Sequence, residues 1–319
     1  MANYQIGDAL QILAGRPANS VQCCVTSPPY WNLRDYGVPG QVGQEPTVEA
    51  YVERLVEIFR AVRRVLVPTG TLFLNLGDCY VGARGGSQGK NGQMASRAAS
   101  LDGTRKRVWY RRAGDLPAKN LIGVPWRVAF ALQDDGWILR SDNIWHKPNP
   151  TPESVKDRPT RAHEYVFMFS KSATYFYNKA ALDERAKTTG RIVREGAKRA
   201  ASDGARASRE KHPGTGIVKA IRNTRSVWTI SPQPYKRAHF AVMPAKLAAK
   251  CIMAGTRPGD LVVDPFLGSG TTGQVAAMLG RRWFGIELQV KYEPLIQERI
   301  AQVPLSIAPG ALNLSDEES

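Results

Sequence analysis

Acidic residues are scarce in this chain: 28 Asp and Glu stand against 44 Lys and Arg, a net charge of +16 over 319 residues. Charge of that sign and size calls for a polyanionic partner. Cysteine is scarcer still. Cys23, Cys24, Cys79 and Cys251 are not spaced as zinc ligands or as a disulfide frame, so they read as core or loop residues of a reducing compartment. No proline precedes any of them. His146 and His163 lack a second His or Cys at ligand spacing, so no metal is expected. No membrane span is visible, and Asp8 interrupts the apolar stretch a signal peptide needs, which points to a cytoplasmic location. With 43% hydrophobic residues, the chain can fill one large α/β domain and a smaller insertion.

The positive charge is concentrated. Between residues 84 and 112 eight basic side chains face Asp102 alone, and between 184 and 225 twelve face four acids, so two segments carry nearly all the excess. Both are rich in Gly, Ser and Ala, and such segments are expected to be loose without a polyanion to order them.

Ser27-Pro28-Pro29-Tyr30-Trp31 follows the apolar run Val21-Gln22-Cys23-Cys24-Val25-Thr26. Consecutive prolines cannot continue a central strand, so the chain leaves a buried strand for a fixed loop carrying a hydroxyl and two aromatic rings. That loop suits one wall of a pocket for a planar amine, and an ordinary proline-rich strand exit is the alternative. Near the other end, Leu261-Val262-Val263-Asp264-Pro265-Phe266-Leu267-Gly268-Ser269-Gly270-Thr271-Thr272-Gly273 reads as a strand, a glycine turn and a helix start. Glycine turns of this form let a backbone approach a ligand, and helix amides attract negative charge. Gly268, Gly270 and Gly273 also satisfy a G-x-G-x-x-G pattern shared by nicotinamide enzymes. The next strand, residues 282–287, ends in Glu287, where a ribose hydroxyl would be bound. An adenosine-containing cofactor is expected.

Together, residues 26–31 and 264–272 resemble the catalytic and S-adenosylmethionine motifs of the DNA amino-methyltransferases. Their order, catalytic motif first, resembles that of the beta group. The resemblance runs from Gly7 to about Arg299 and implies an α/β, Rossmann-like methyltransferase fold. In that fold a circularly permuted mixed sheet is flanked by helices and carries an inserted basic DNA-recognition region. It divides the chain into a catalytic half over 1–176 with a basic insertion at about 82–117, a target-recognition insertion over 177–226, a cofactor half over 227–303 and a tail over 304–319. By the same resemblance Ser27, Pro28, Pro29 and Tyr30 are catalytic. Asp8, Asp264, Phe266, Gly268, Ser269, Gly270, Thr271, Thr272 and Glu287 hold S-adenosylmethionine, Asp8 by meeting its adenine amino group. Trp31, Arg105, Lys106, Arg107, Arg222 and Arg225 are assigned to double-stranded DNA. Residues 136–150 and 163–169 resemble the last two strands around the target pocket, and an amphipathic helix over about 48–66 precedes a strand at 70–76. Beta-group enzymes are commonly dimers, so a homodimer is expected; a cognate restriction nuclease is possible.

The chemistry follows from these residue types. The target base must be flipped out of the duplex, after which the Ser27 hydroxyl and Pro28 carbonyl accept the amine hydrogens while Tyr30 stacks on the ring. Methylation at cytosine C5 needs a cysteine nucleophile, usually after a proline, and this chain has no such pair. By resemblance alone, since family members with Ser at the first motif position are more often cytosine N4 enzymes and those with Asp more often adenine N6 enzymes, N4 of cytosine is favoured over N6 of adenine. An RNA or protein amide methyltransferase and a nicotinamide dehydrogenase stay open as other classes.

Overall fold

In a computed structural model of the chain, the residues described are 3–33, 35, 37–81, 116–185, 191–192, 216–217, 221–233 and 243–303. The basic run between 84 and 112 and the tail after 303 lie outside them. They divide into two compact units, Met1–Asn178 with Ser226–Ser319, and Lys179–Arg225.

The larger unit is built on an eight-stranded sheet. In chain order its strands are β1 (Tyr4–Ile6), β2 (Val21–Thr26), β3 (Leu66–Leu76), β4 (Ile138–His146), β5 (His163–Ser170), β10 (Val227–Thr229), β11 (Leu261–Asp264) and β12 (Arg282–Glu287). They lie side by side as β1-β12-β11-β2-β3-β5-β4-β10. Every neighbouring pair is parallel except the two made by β5, which runs antiparallel to both β3 and β4. The carboxyl ends of seven strands and the start of β5 therefore share one edge, where ligands bind in open α/β sheets.

Buried on both faces, the central strands read as continuous apolar runs. Alternation sorts their side chains: Cys24, Leu72 and Leu74 join the core with helix α2 (Val48–Val65) and helix α3 (Val124–Asp134). Cys23 and Thr71 turn to the other face, where Thr71 Oγ1 donates to the Cys23 thiol at 3.5 Å and helix α4 (Ala245–Gly255) packs on β2 and β3. All four cysteines are free, and burial pushes Cys23 and Cys79 up to about 12, which agrees with core thiols and not nucleophiles.

Local signals set the helix starts. Thr47 caps α2 by accepting from Ala50 N, and Asp8 caps the short α1 (Ala9–Ala14) by accepting from Gln11 N. Helix α3 has no cap from its own side chains, and Asp78, just past β3, supplies one by accepting from Gly123 N at 3.0 Å and Val124 N at 3.0 Å. The third strand begins at Leu66, four residues before the expected start. Pro68 does not end it, because its pairing with β2 shifts register between Val21 and Cys23 and so absorbs the irregular stretch. Helix α5 (Thr271–Met278) follows β11, and helix α6 (Glu293–Ala301) follows β12.

The smaller unit contains two antiparallel pairs, β6 (Glu184–Arg185) with β9 (Ile221–Arg222) and β7 (Arg191–Ile192) with β8 (Gly216–Ile217). Glu184 holds its end together, accepting from Thr224 Oγ1 at 3.0 Å and from Arg225 Nε at 3.1 Å.

Candidate active site

A cavity of about 600 Å³ opens along the shared sheet edge. One end is walled by Gly7 and Asp8 after β1, by 264–269 after β11, and by Glu287 to Gln289 after β12; the other by Ser27 to Tyr30 after β2, by Asn75, Lys147 and Asn149, and by Glu164 at the start of β5. Of the thirteen residues that the sequence assigns to catalysis and cofactor, all but Gly270 line it. Gly270 stands behind as the N-cap of α5, and its φ of 91° is the left-handed conformation that a glycine adopts without strain.

The two motifs meet directly. Thr26 Oγ1 donates to Asp264 Oδ1 at 2.6 Å, and the same oxygen accepts from Phe266 N at 3.0 Å. Burial raises the Asp264 carboxyl above its ordinary value despite these donors. Glu287 is tied to the glycine turn in the same way: Oε2 accepts from Gly268 N at 2.8 Å and Oε1 from Gln289 N at 2.9 Å. Burial pushes Glu287 up to about 7, against the pull of those two amides. Asp8 caps α1 through Oδ1 and ion-pairs with Arg54 Nη2 at 3.0 Å through Oδ2. Ser269 Oγ, Thr271 Oγ1 and Gln289 Oε1 are buried at this end without a protein partner. Buried hydroxyls and an amide oxygen of that kind call for a partner, which a polar ligand or water supplies.

At the other end Tyr30 is held from three sides. Its hydroxyl donates to Glu164 Oε2 at 2.5 Å and lies 3.3 Å from Asn75 Oδ1, while Ser27 Oγ donates to it at 3.4 Å. Asn75 Nδ2 donates to Glu164 Oε2 at 3.0 Å, and Lys147 Nζ donates to Glu164 Oε1. Burial and the Glu164 charge hold the Tyr30 phenol well above the ordinary tyrosine range. Gly77 makes room for the ring, since a Cβ there would sit 2.6 Å from Tyr30 Cε2. Behind the loop, Tyr51 donates to the Pro29 carbonyl at 3.0 Å.

Trp31 requires a correction. It was expected at the DNA, but only 2% of it is exposed, its indole N–H donates to the Glu45 carbonyl at 3.2 Å, and it packs into the main core. Tyr30 lines the cavity while its neighbour Trp31 enters the core, just before a turn at Asn32, whose φ is 56°. Of the other residues assigned to DNA, Arg105, Lys106 and Arg107 lie outside the described residues, as does the Arg222 side chain. Arg225 is exposed and paired with Glu184. Asn75, Lys147 and Glu164 were not foreseen as site residues.

Residues 21–298 match the model of the DNA methylase family that comprises N6 and N4 methyltransferases. The chain belongs to that family. It is 45% identical over 294 residues to the Type II methyltransferase M.XycI of Xanthomonas campestris pv. cyanopsidis, covering 92% of this chain and 86% of the relative. To M.SmaI of Serratia marcescens it is 44% identical over 297 residues, 92% of this chain and 89% of that one. Among solved structures, the PvuII DNA methyltransferase, described as cytosine-N4-specific, superposes with a TM-score of 0.63 at 22% identity. That match covers 97% of this chain and 89% of the other and shows a common fold. The chain is thus an S-adenosylmethionine-dependent DNA amino-methyltransferase, which removes the dehydrogenase reading of the glycine turn along with the RNA and protein alternatives. Its cavity fits that cofactor: Asp8 and Glu287 stand at the glycine-turn end, and the unpartnered Ser269, Thr271 and Gln289 atoms offer contacts to a polar, charged tail.

Proposed function

We infer that this DNA amino-methyltransferase modifies N4 of cytosine in double-stranded DNA, taking the flipped base into the Ser27 end of the cavity. The observation that carries this reading is the composition of that end. Ser27 Oγ directs its hydrogen at Tyr30, so its lone pairs are available to an amine, while Lys147 and Asn149 bring donors to the same wall. On its Watson–Crick edge cytosine presents a ring nitrogen and a carbonyl oxygen beside its amine, both acceptors, whereas the same edge of adenine presents one ring nitrogen followed by a C–H. Ser at the first motif position favours the same base.

When bound, S-adenosylmethionine supplies a methyl group on a cationic sulfur. Glu287 would accept from the ribose hydroxyls, Asp8 from the adenine amine, and Ser269, Thr271 and Gln289 would meet the polar tail; Asp264 and Thr26 fix the floor between the two ends. The cytosine amine is a poor nucleophile because its lone pair is delocalised into the ring. Ser27 Oγ and the Pro28 carbonyl accept its hydrogens and draw the nitrogen toward tetrahedral geometry, while the Tyr30 ring holds the base in plane. Positioning of this sort supplies much of the acceleration. The basic segments at 84–112 and 184–225 supply phosphate contacts, and the unit Lys179–Arg225 reads the target sequence.

Transfer of labelled methyl groups to duplex DNA, followed by digestion to nucleosides, tests the reading. N4-methylcytosine is the expected product, and label found only in N6-methyladenine would reverse the base assignment.

A further inference from the structure

Methylation leaves the amine nitrogen cationic, with one hydrogen too many, and a serine hydroxyl is too weak a base to keep that proton. Ser27 does not stand alone. Its Oγ donates to Tyr30 Oη at 3.4 Å, and Tyr30 Oη donates to Glu164 Oε2 at 2.5 Å. A carboxylate can only accept, so the Tyr30 hydrogen goes to Glu164 and the Ser27 hydrogen to Tyr30, and the two bonds run in one direction from the cavity toward the carboxylate. Glu164 acts only as an acceptor here, taking Asn75 Nδ2 on Oε2 and Lys147 Nζ on Oε1. The far end of this chain of bonds reaches solvent, since the Lys147 and Glu164 side chains are 21% and 14% exposed.

We propose that Glu164 is the terminal acceptor of the proton lost by the methylated amine, delivered through Ser27 and Tyr30. The proposal rests on placing the target amine at Ser27. The step balances as a relay: the amine N–H bond breaks as Ser27 Oγ gains that proton, the original Ser27 hydrogen passes to Tyr30 Oη, and the Tyr30 hydrogen passes to Glu164 Oε2. The products are a neutral methylamine, two unchanged hydroxyl groups and a neutral Glu164 carboxylic acid. Lys147 keeps its charge, and the proton then leaves Glu164 to water. Tyr30 never needs to ionise, because it gives up one hydrogen as it receives another, which suits a phenol whose ionisation is opposed by burial and by Glu164.

The sheet explains why this acid is in place. Glu164 is the second residue of β5, which runs antiparallel to its neighbours in the main sheet, and Lys147 directly follows β4, so both stand at the ligand edge. Glu164→Gln preserves size and the acceptor for Lys147 but cannot take the proton. Tyr30→Phe keeps the ring and cuts the relay in the middle.

Single-turnover methylation of duplex DNA by wild type, Glu164→Gln, Tyr30→Phe and the double variant, with S-adenosylhomocysteine and DNA affinities measured alongside, tests the route. Each single variant should lose roughly 10²-fold in rate. Both affinities should stay within about twofold of wild type, and the double variant should be no slower than the worse single one, since both interrupt the same path. A Glu164→Gln rate within about threefold of wild type, or losses that multiply in the double variant, would overturn the route. So would lost affinity in Glu164→Gln, which would make the residue a structural support. A wild-type protein that methylates an atom other than a base amine would overturn the pocket assignment itself, and the route with it.

Discussion

Thr26 and Asp264 are 238 positions apart in sequence and share a buried hydrogen bond of 2.6 Å, which locks the strand before the catalytic loop to the strand before the cofactor loop. The bond places the two ends of the cavity on one rigid floor. It also supplies a donor to a carboxyl group that burial has already raised.

Thr26→Val keeps the shape of that side chain and removes the donor. Leaving Asp264 short of a partner should cost about 1–3 kcal/mol in denaturant unfolding. Affinity for S-adenosylhomocysteine and turnover should fall together, because both ends lose their common support. A drop in turnover alone would show that the bond serves only the catalytic loop.

Glu287 carries a pH signature. Its folded pKa is raised from the ordinary 4.5 to about 7 by burial, so the folded protein holds this proton more tightly than the unfolded chain. Its contribution to the stability of the free protein is therefore greatest below the unfolded value and is lost as pH rises through about 7. Ribose hydroxyls are donors and favour the ionised carboxylate, so S-adenosylhomocysteine should bind more tightly as pH rises through the same range. Calorimetry across that range should show both trends in wild type and neither in Glu287→Gln. A dissociation constant in wild type that does not vary with pH would place the ribose elsewhere.

Gly77→Ala tests how tightly the Tyr30 ring must be held. The added methyl would sit 2.6 Å from the ring, forcing it away from Asn75 and Glu164. Overpacking of this kind costs about 1–3 kcal/mol, and turnover should fall more steeply than S-adenosylhomocysteine affinity. Wild-type turnover in this variant would mean that the ring position does not matter.

Charge at 105–107 should act through phosphates. Replacing Arg105, Lys106 and Arg107 by Ala should flatten the salt dependence of DNA affinity by up to about three units while leaving the methylated site unchanged. An unchanged slope would remove this segment from the DNA.

Much of the site was legible in the sequence because its parts are local. Ser27 to Tyr30 and residues 264–272 each sit on a short strand–loop unit whose prolines or glycines announce the turn, and twelve of the thirteen residues read from them and their neighbours line one cavity. Asn75, Lys147 and Glu164 were harder to see, since each becomes part of the site through sheet order and not through neighbours in the chain. One signal was available: Glu164 is a charged residue just ahead of the apolar run Tyr165 to Phe169, and in a strand antiparallel to its neighbours the start lies at the ligand edge. Trp31 was misread because adjacency to Tyr30 says nothing about direction: Tyr30 lines the cavity and Trp31 packs into the core. The early start of β3 was hidden by Pro68, which a register shift accommodates.

The most direct test of the account is to sequence, with base-resolved detection of modified amines, plasmid DNA from a host expressing wild type or Ser27→Ala. Wild type should leave N4-methylcytosine at a fixed target sequence, and Ser27→Ala should lose roughly 10²–10³-fold in methylation rate with S-adenosylhomocysteine binding retained. Methylation of adenine alone, or full modification by Ser27→Ala, would contradict it.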